Sequence, residues 1–151
     1  MERANGGDRE AVRGAADTTV ELAELPAVAH RLWDEVPTGG VVWLSGEIGA
    51  GKTTLVRELA RVSEGTAARS PTYALVHEYT SPHGLLVHVD CYRLRQPDEA
   101  IDIDFGGILR RARLLVIEWP ERGGAHVPLP DVHMRLHHVD NPTRRRIERV
   151  Q

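Results

Sequence analysis

The stretch Gly46-Glu47-Ile48-Gly49-Ala50-Gly51-Lys52-Thr53 limits the folds open to this chain more than any other feature. Two glycines bracket a four-residue gap and are followed by lysine and threonine, the spacing G-x-x-x-x-G-K-[ST] of a phosphate-binding loop. Such a loop requires a strand running in and a helix running out, so that main-chain N–H groups converge on an anion at a helix N-terminus. Val41-Val42-Trp43-Leu44 meets the first requirement as a continuous apolar run, the pattern of a parallel strand buried on both faces. Leu55, Leu59 and Val62 meet the second, recurring at i, i+4 and i+7 with Arg57, Glu58 and Arg61 between them. Of 19 basic residues in the chain, Lys52 is the only lysine. A compact ammonium reaches between phosphate oxygens where a planar guanidinium fits poorly.

Composition bounds the rest. The 151 residues are 41% hydrophobic and 27% charged, enough to bury the core of one soluble globular domain; we expect a tail over 1–17 and a single domain over 18–151. A net charge of −3 argues against holding nucleic acid by bulk charge, so a role on nucleic acid needs a partner. Cys91 is the one cysteine, which excludes a disulfide scaffold. There is no apolar run of 18 residues, and MERANGGDRE at the start is polar; the expected location is the cytoplasm.

Periodicity sketches an α/β unit. Leu25, Val28, Leu32 and Val36 predict a helix over about 26–36, with Pro26 in its first turn. Residues 73–80 and 85–92 read as a hairpin around Ser81-Pro82-His83-Gly84. Residues 98–111 read as weakly helical and interrupted at Gly106-Gly107, and 113–119 as a buried strand. Residues 131–139 and 144–150 read as a terminal hairpin.

Nucleotide hydrolysis needs a magnesium site and a group that places water. Thr53 supplies the hydroxyl expected on the metal. Glu118 follows Leu114-Leu115-Val116-Ile117, which puts a carboxylate at the carboxyl end of a central strand, where ligands bind in open α/β sheets. Direct ligation, water-mediated coordination and a plain solvated strand end all fit that spacing. Alternation in residues 86–92 places Leu86, His88, Asp90 and Tyr92 on one face, with Leu85, Val87, Val89 and Cys91 toward the core. One reading puts Asp90 near magnesium or the water, held by His88 and Tyr92; the other is the exposed face of an edge strand. Ser70-Pro71-Thr72-Tyr73 reads as an ordinary loop entering a strand or as a switch-like segment near the γ-phosphate. His133, His137 and His138 share a strand without a carboxylate or cysteine to complete a metal set, and Arg144-Arg145-Arg146 is a short basic run.

Taken together, the loop through Thr54, Ser70-Pro71-Thr72-Tyr73, His88-Val89-Asp90-Cys91-Tyr92-Arg93-Leu94 and Glu118-Trp119-Pro120-Glu121 resemble the TsaE family, also called the YjeE type. The resemblance implies a P-loop NTPase-like three-layer sandwich with a mixed, largely parallel central sheet and antiparallel hairpins. It implies a Mg²⁺-dependent ATPase that binds and resets a TsaB–TsaD-like complex installing threonylcarbamoyl on tRNA adenosine; with no arginine finger readable in the sequence, activity alone is expected to be weak. The family touches tRNA only through that complex. Carried over by position, the resemblance gives ATP the residues Gly46, Glu47, Ile48, Gly49, Ala50, Gly51, Lys52, Thr53, Thr54, Thr72, Trp119 and Arg145. It gives magnesium Thr53, Glu118 and Asp90, and hydrolysis Lys52, Asp90 and Glu118. A small phosphate-loop kinase and a non-hydrolysing, nucleotide-dependent scaffold are the alternative functions.

Overall fold

The computed structural model of the protein describes residues 17–67 and 75–150. Its strands are β1 (Asp17–Glu21), β2 (Gly40–Gly46), β3 (Thr66–Ala67), β4 (Val76–Thr80), β5 (Leu86–Asp90), β6 (Leu114–Glu118), β7 (Val132–His138) and β8 (Arg144–Arg149). The helices are α1 (Leu25–Glu35), α2 (Lys52–Val62) and α3 (Phe105–Arg111). Three 3-10 segments, Leu22–Glu24, Pro97–Asp102 and Pro120–His126, join them.

All eight strands form one sheet in the order β1-β8-β7-β2-β6-β5-β4-β3. The centre, β7-β2-β6-β5, is parallel, and both wings are antiparallel. The expected hairpins are the pairs β4/β5 and β7/β8. Alternation along the central strands makes two cores, one on each face. Val42, Leu44, Leu86, Leu114 and Val116 pack with Leu25, Val28, Leu32, Leu55 and Leu59 of α1 and α2. Val41, Val87, Val89, Leu115 and Ile117 pack on the other face with Phe105 and Ile108 of α3 and with Ala100, Ile103 and Val127. Helix, sheet and helix are the three layers, and each fully buried aliphatic side chain contributes about 2 kcal/mol to holding them together.

Three details depart from the sequence reading. The interruption between Pro97–Asp102 and α3 falls at Ile103-Asp104, not at Gly106-Gly107. Asp104 caps α3 by accepting from the Gly107 N–H at 3.0 Å, and a Cβ at Gly107 would lie 2.2 Å from its carboxylate, so glycine here permits the helix start. The β5 strand lies between β4 and β6, so it is not an edge, and Leu86 and His88 are buried like their neighbours on the opposite face. Asp17, expected in the tail, begins β1; residues 1–16 lie outside the described residues. The C-terminal carbonyls of α1 find an unforeseen partner in Arg113, whose guanidinium donates to Val36 O at 2.9 Å and Trp33 O at 2.5 Å.

Cys91 closes β5 with its amide on Glu118 O at 3.0 Å and its side chain fully buried. Burial, with Asp90 and Glu121 adding to it, pushes the thiol up to about 12. The thiolate is the reactive form, so a disulfide reagent such as Ellman's should leave Cys91 unmodified in the native protein at neutral pH and titrate it fully in denaturant. Rapid labelling of the folded chain would contradict that burial.

Candidate functional site

Three parallel strands deliver their carboxyl ends to the same edge of the sheet. Register aligns Leu44 of β2 with Glu118 of β6, and Glu118 with Asp90 of β5. Beyond Gly46 the chain turns through the Gly-rich loop and enters α2 at Lys52. Glycine is required there for backbone reasons: Gly46, Gly49 and Gly51 have φ of 132°, 78° and 104°. Ala50 N–H donates to Glu47 O at 3.1 Å and Leu55 N–H to Gly51 O at 2.9 Å, so the amides of Lys52, Thr53 and Thr54 precede the first helical bond. From β7, His138 meets the loop with its Nε2 3.1 Å from Ile48 O.

Lys52 is 6% exposed. Its ammonium donates to Gly46 O and, at 2.8 Å, to Glu47 O, and it lies 4.6 Å from the centre of the Trp119 ring. Burial pulls its pKa below the usual lysine value, while Glu118, Asp90, Glu121 and Glu47 oppose that shift. Thr53 Oγ1 donates to Glu118 Oε1 at 3.3 Å, and Glu118 is 2% exposed. Asp90 accepts at Oδ1 from the Tyr92 N–H at 3.0 Å. His88 does not hold Asp90 as expected; its Nε2 faces Glu118 Oε2 at 3.3 Å.

Ile48, Gly49, Gly51, Lys52, Thr53, Thr54, Asp90, Glu118, Trp119 and Arg145 all line one cavity of about 320 Å³. Leu22 and Tyr92 line it too; sequence reasoning missed Leu22, whose 3-10 turn follows an edge strand with only Val20 buried. Ala50 lies fully buried in the loop, and Gly46 and Glu47 line a neighbouring cavity of about 500 Å³ behind it. Trp119 is common to both cavities and has a left-handed backbone, φ 55° and ψ 49°. That conformation strains a non-glycine residue and turns the chain sharply after Glu118. Thr72 and the rest of Ser70-Pro71-Thr72-Tyr73 lie outside the described residues.

The donors suit a magnesium-bound phosphate chain. Thr53 hydroxyl and the Asp90 and Glu118 carboxylates are hard oxygen ligands of the kind Mg²⁺ takes, and the positive-φ glycines Gly49 and Gly51 line the same cavity, where a turn of this kind can offer its amides to an anion. Arg145 adds a buried Nε with no hydrogen-bond partner among the described residues.

The family model "Threonylcarbamoyl adenosine biosynthesis protein TsaE" matches residues 19–147. The chain belongs to the TsaE family. A TsaE relative from Aquifex aeolicus is 41% identical over 117 residues, 76% of this chain and 78% of its own length. One from Haemophilus influenzae is 35% identical over 105 residues, 67% of this chain; the chain spans 65% of that relative's length. Both are described as tRNA threonylcarbamoyladenosine biosynthesis proteins. In fold, the chain is similar to the crystal structure of Bacillus subtilus YdiB, with a TM-score of 0.67 at 20% identity over 87% of this chain and 82% of that one. The TsaE match spans the loop and the ends of β5 and β6, and the fold is the P-loop NTPase-like three-layer sandwich expected. Among the described residues no helix is long and apolar enough to cross a membrane.

Proposed function

We propose that this TsaE-family chain hydrolyses Mg²⁺·ATP, weakly alone, and that hydrolysis resets a TsaB–TsaD-like complex during threonylcarbamoyl modification of tRNA in the cytoplasm. The observation that carries the reading is the buried Glu118 carboxylate against Thr53 Oγ1 at 3.3 Å, beside the only lysine of the chain. Lys52 and the amides of Gly49 and of Gly51 to Thr54 bind the phosphates, with Gly46, Glu47, Ile48 and Ala50 shaping the turn. Thr53 and Glu118 hold the metal, and Asp90 completes its surroundings. The ion, when bound, neutralises charge on the phosphate oxygens during transfer. Asp90, its carboxylate fixed by the Tyr92 amide, orients water against the γ-phosphate and accepts its proton as the bond to the β-phosphate oxygen breaks. Trp119 covers the lysine, Arg145 meets the base side, and Thr72 belongs to the segment that responds to the γ-phosphate. Transfer RNA is engaged only through the partners.

Glu118→Gln keeps the shape and removes the charge. We expect phosphate release in the presence of TsaB- and TsaD-like partners to fall about 10²–10³-fold, with ADP binding retained in metal-free buffer. Unchanged turnover would remove Glu118 from the reaction. Turnover that needs a small-molecule acceptor would instead identify a kinase, and partners that respond to ATP while no phosphate is released would identify a scaffold.

A further inference from the structure

His88 is buried on the strand that carries Asp90, yet the steps above do not use it. It is 6% exposed, and its ring stacks on His77 with centroids 5.7 Å apart and planes inclined by 26°. Register sets His88 beside Val116 and Asp90 beside Glu118, so Glu118 is the diagonal neighbour of His88, two residues further along the same face. The imidazole Nε2 reaches within 3.3 Å of Glu118 Oε2, off the axis of a formed hydrogen bond, and has no other partner among the described residues. A buried imidazole nitrogen without a partner costs stability, and Glu118 is the group this one faces. The two carboxylate oxygens thus face different groups, Oε1 the Thr53 hydroxyl and Oε2 the imidazole.

We propose that His88 is a positioning residue for Glu118: with the hydrogen on Nε2 it holds Oε2 and fixes the carboxylate plane, so that Oε1 is presented toward Thr53 and a divalent cation. The last torsion of a glutamate is soft and roughly two-fold, so Thr53 alone leaves the plane free to turn, whereas two anchors do not. Outer partners of this kind set ligand orientation, and their loss typically weakens metal binding about 10–100-fold. The inference rests on Glu118 being a metal-holding carboxylate. It assigns a role that alternation in the sequence had directed to Asp90.

The experiment measures Mn²⁺ binding to the full-length protein with ADP present, by the electron paramagnetic resonance of free Mn²⁺. For His88→Leu we expect the Mn²⁺ dissociation constant to rise about tenfold or more, with ADP affinity in chelator unchanged. In His88→Gln the amide nitrogen replaces Nε2, and most of the metal affinity should return. Equal loss in both variants would mean packing alone and overturn the proposal. Parent-like binding by His88→Leu, with Glu118→Gln still weakened, would also overturn it and leave the role of Glu118 intact. Parent-like binding by Glu118→Gln would refute the underlying reading and this inference with it. If His88→Leu fails to fold, nitrogen-15 spectra of the native protein decide: an Nε2–H tautomer supports the role, and an Nδ1–H tautomer with bare Nε2 refutes it.

Discussion

Replacing Lys52 with alanine should weaken nucleotide binding at least about a hundredfold, the ~3 kcal/mol expected from charge-assisted contacts to phosphate. The ammonium is not a surface charge with alternatives nearby. It is enclosed by two loop carbonyls and an indole, and the chain has no second lysine. Its loss also takes the ammonium from Gly46 O and leaves Glu47 O with the Ala50 amide alone, so the loop should loosen in the same variant. Lys52→Arg should bind almost as poorly: a planar fork with five donors does not reproduce the point charge that a compact ammonium places between two carbonyls and the Trp119 ring. Isothermal titration with ADP and magnesium measures both variants. Parent-like affinity in Lys52→Ala would eliminate this loop as the phosphate site.

The parts of the fold that were legible in sequence are those where local pattern and residue identity agree. Val41 to Leu44, the glycines and the Leu55/Leu59 spacing each demand what the others demand, and β2, the loop and α2 follow. The apolar run before Glu118 likewise shows a strand and where it ends. What local pattern lacks is the identity of a neighbour. Asp17–Glu21 reads Asp-Thr-Thr-Val-Glu and has one buried residue; it is a strand because β8 pairs with it, and Arg144 and Arg146 meet Glu21 and Asp17 across the pair. Neither His138 against Ile48 O nor Arg113 on the end of α1 is visible before the sheet order is known. His88 illustrates the limit inside the site: alternation assigns its face correctly, but only the β5–β6 register directs it to Glu118 instead of Asp90.

That dependence on register makes the first glycine of the loop a sensitive position for stability. Gly46 pairs with Leu136 at the end of the β2/β7 ladder and has φ 132°, a conformation that L side chains rarely adopt. A Cβ there would lie 2.2 Å from Leu136 O and 3.2 Å from Leu136 C and N. The obstacle is backbone in a paired strand, so no side-chain rotation relieves it; β2 and β7 must part or the loop must rebuild. We expect Gly46→Ala to lower unfolding stability by about 3 kcal/mol or more, combining the steric and conformational costs. The midpoint in urea should fall with it. Nucleotide affinity should fall as well, because Gly46 O is one of the two carbonyls that hold Lys52. Gly106→Ala provides the control: its nearest contacts would be Arg110 Nη1 at 3.6 Å and Asp104 Oδ1 at 3.9 Å, ordinary distances within a helix. There alanine should be neutral or stabilising by up to about 1 kcal/mol. If the two variants unfolded at the same urea concentration, the close approach of β7 to the loop could not be as described.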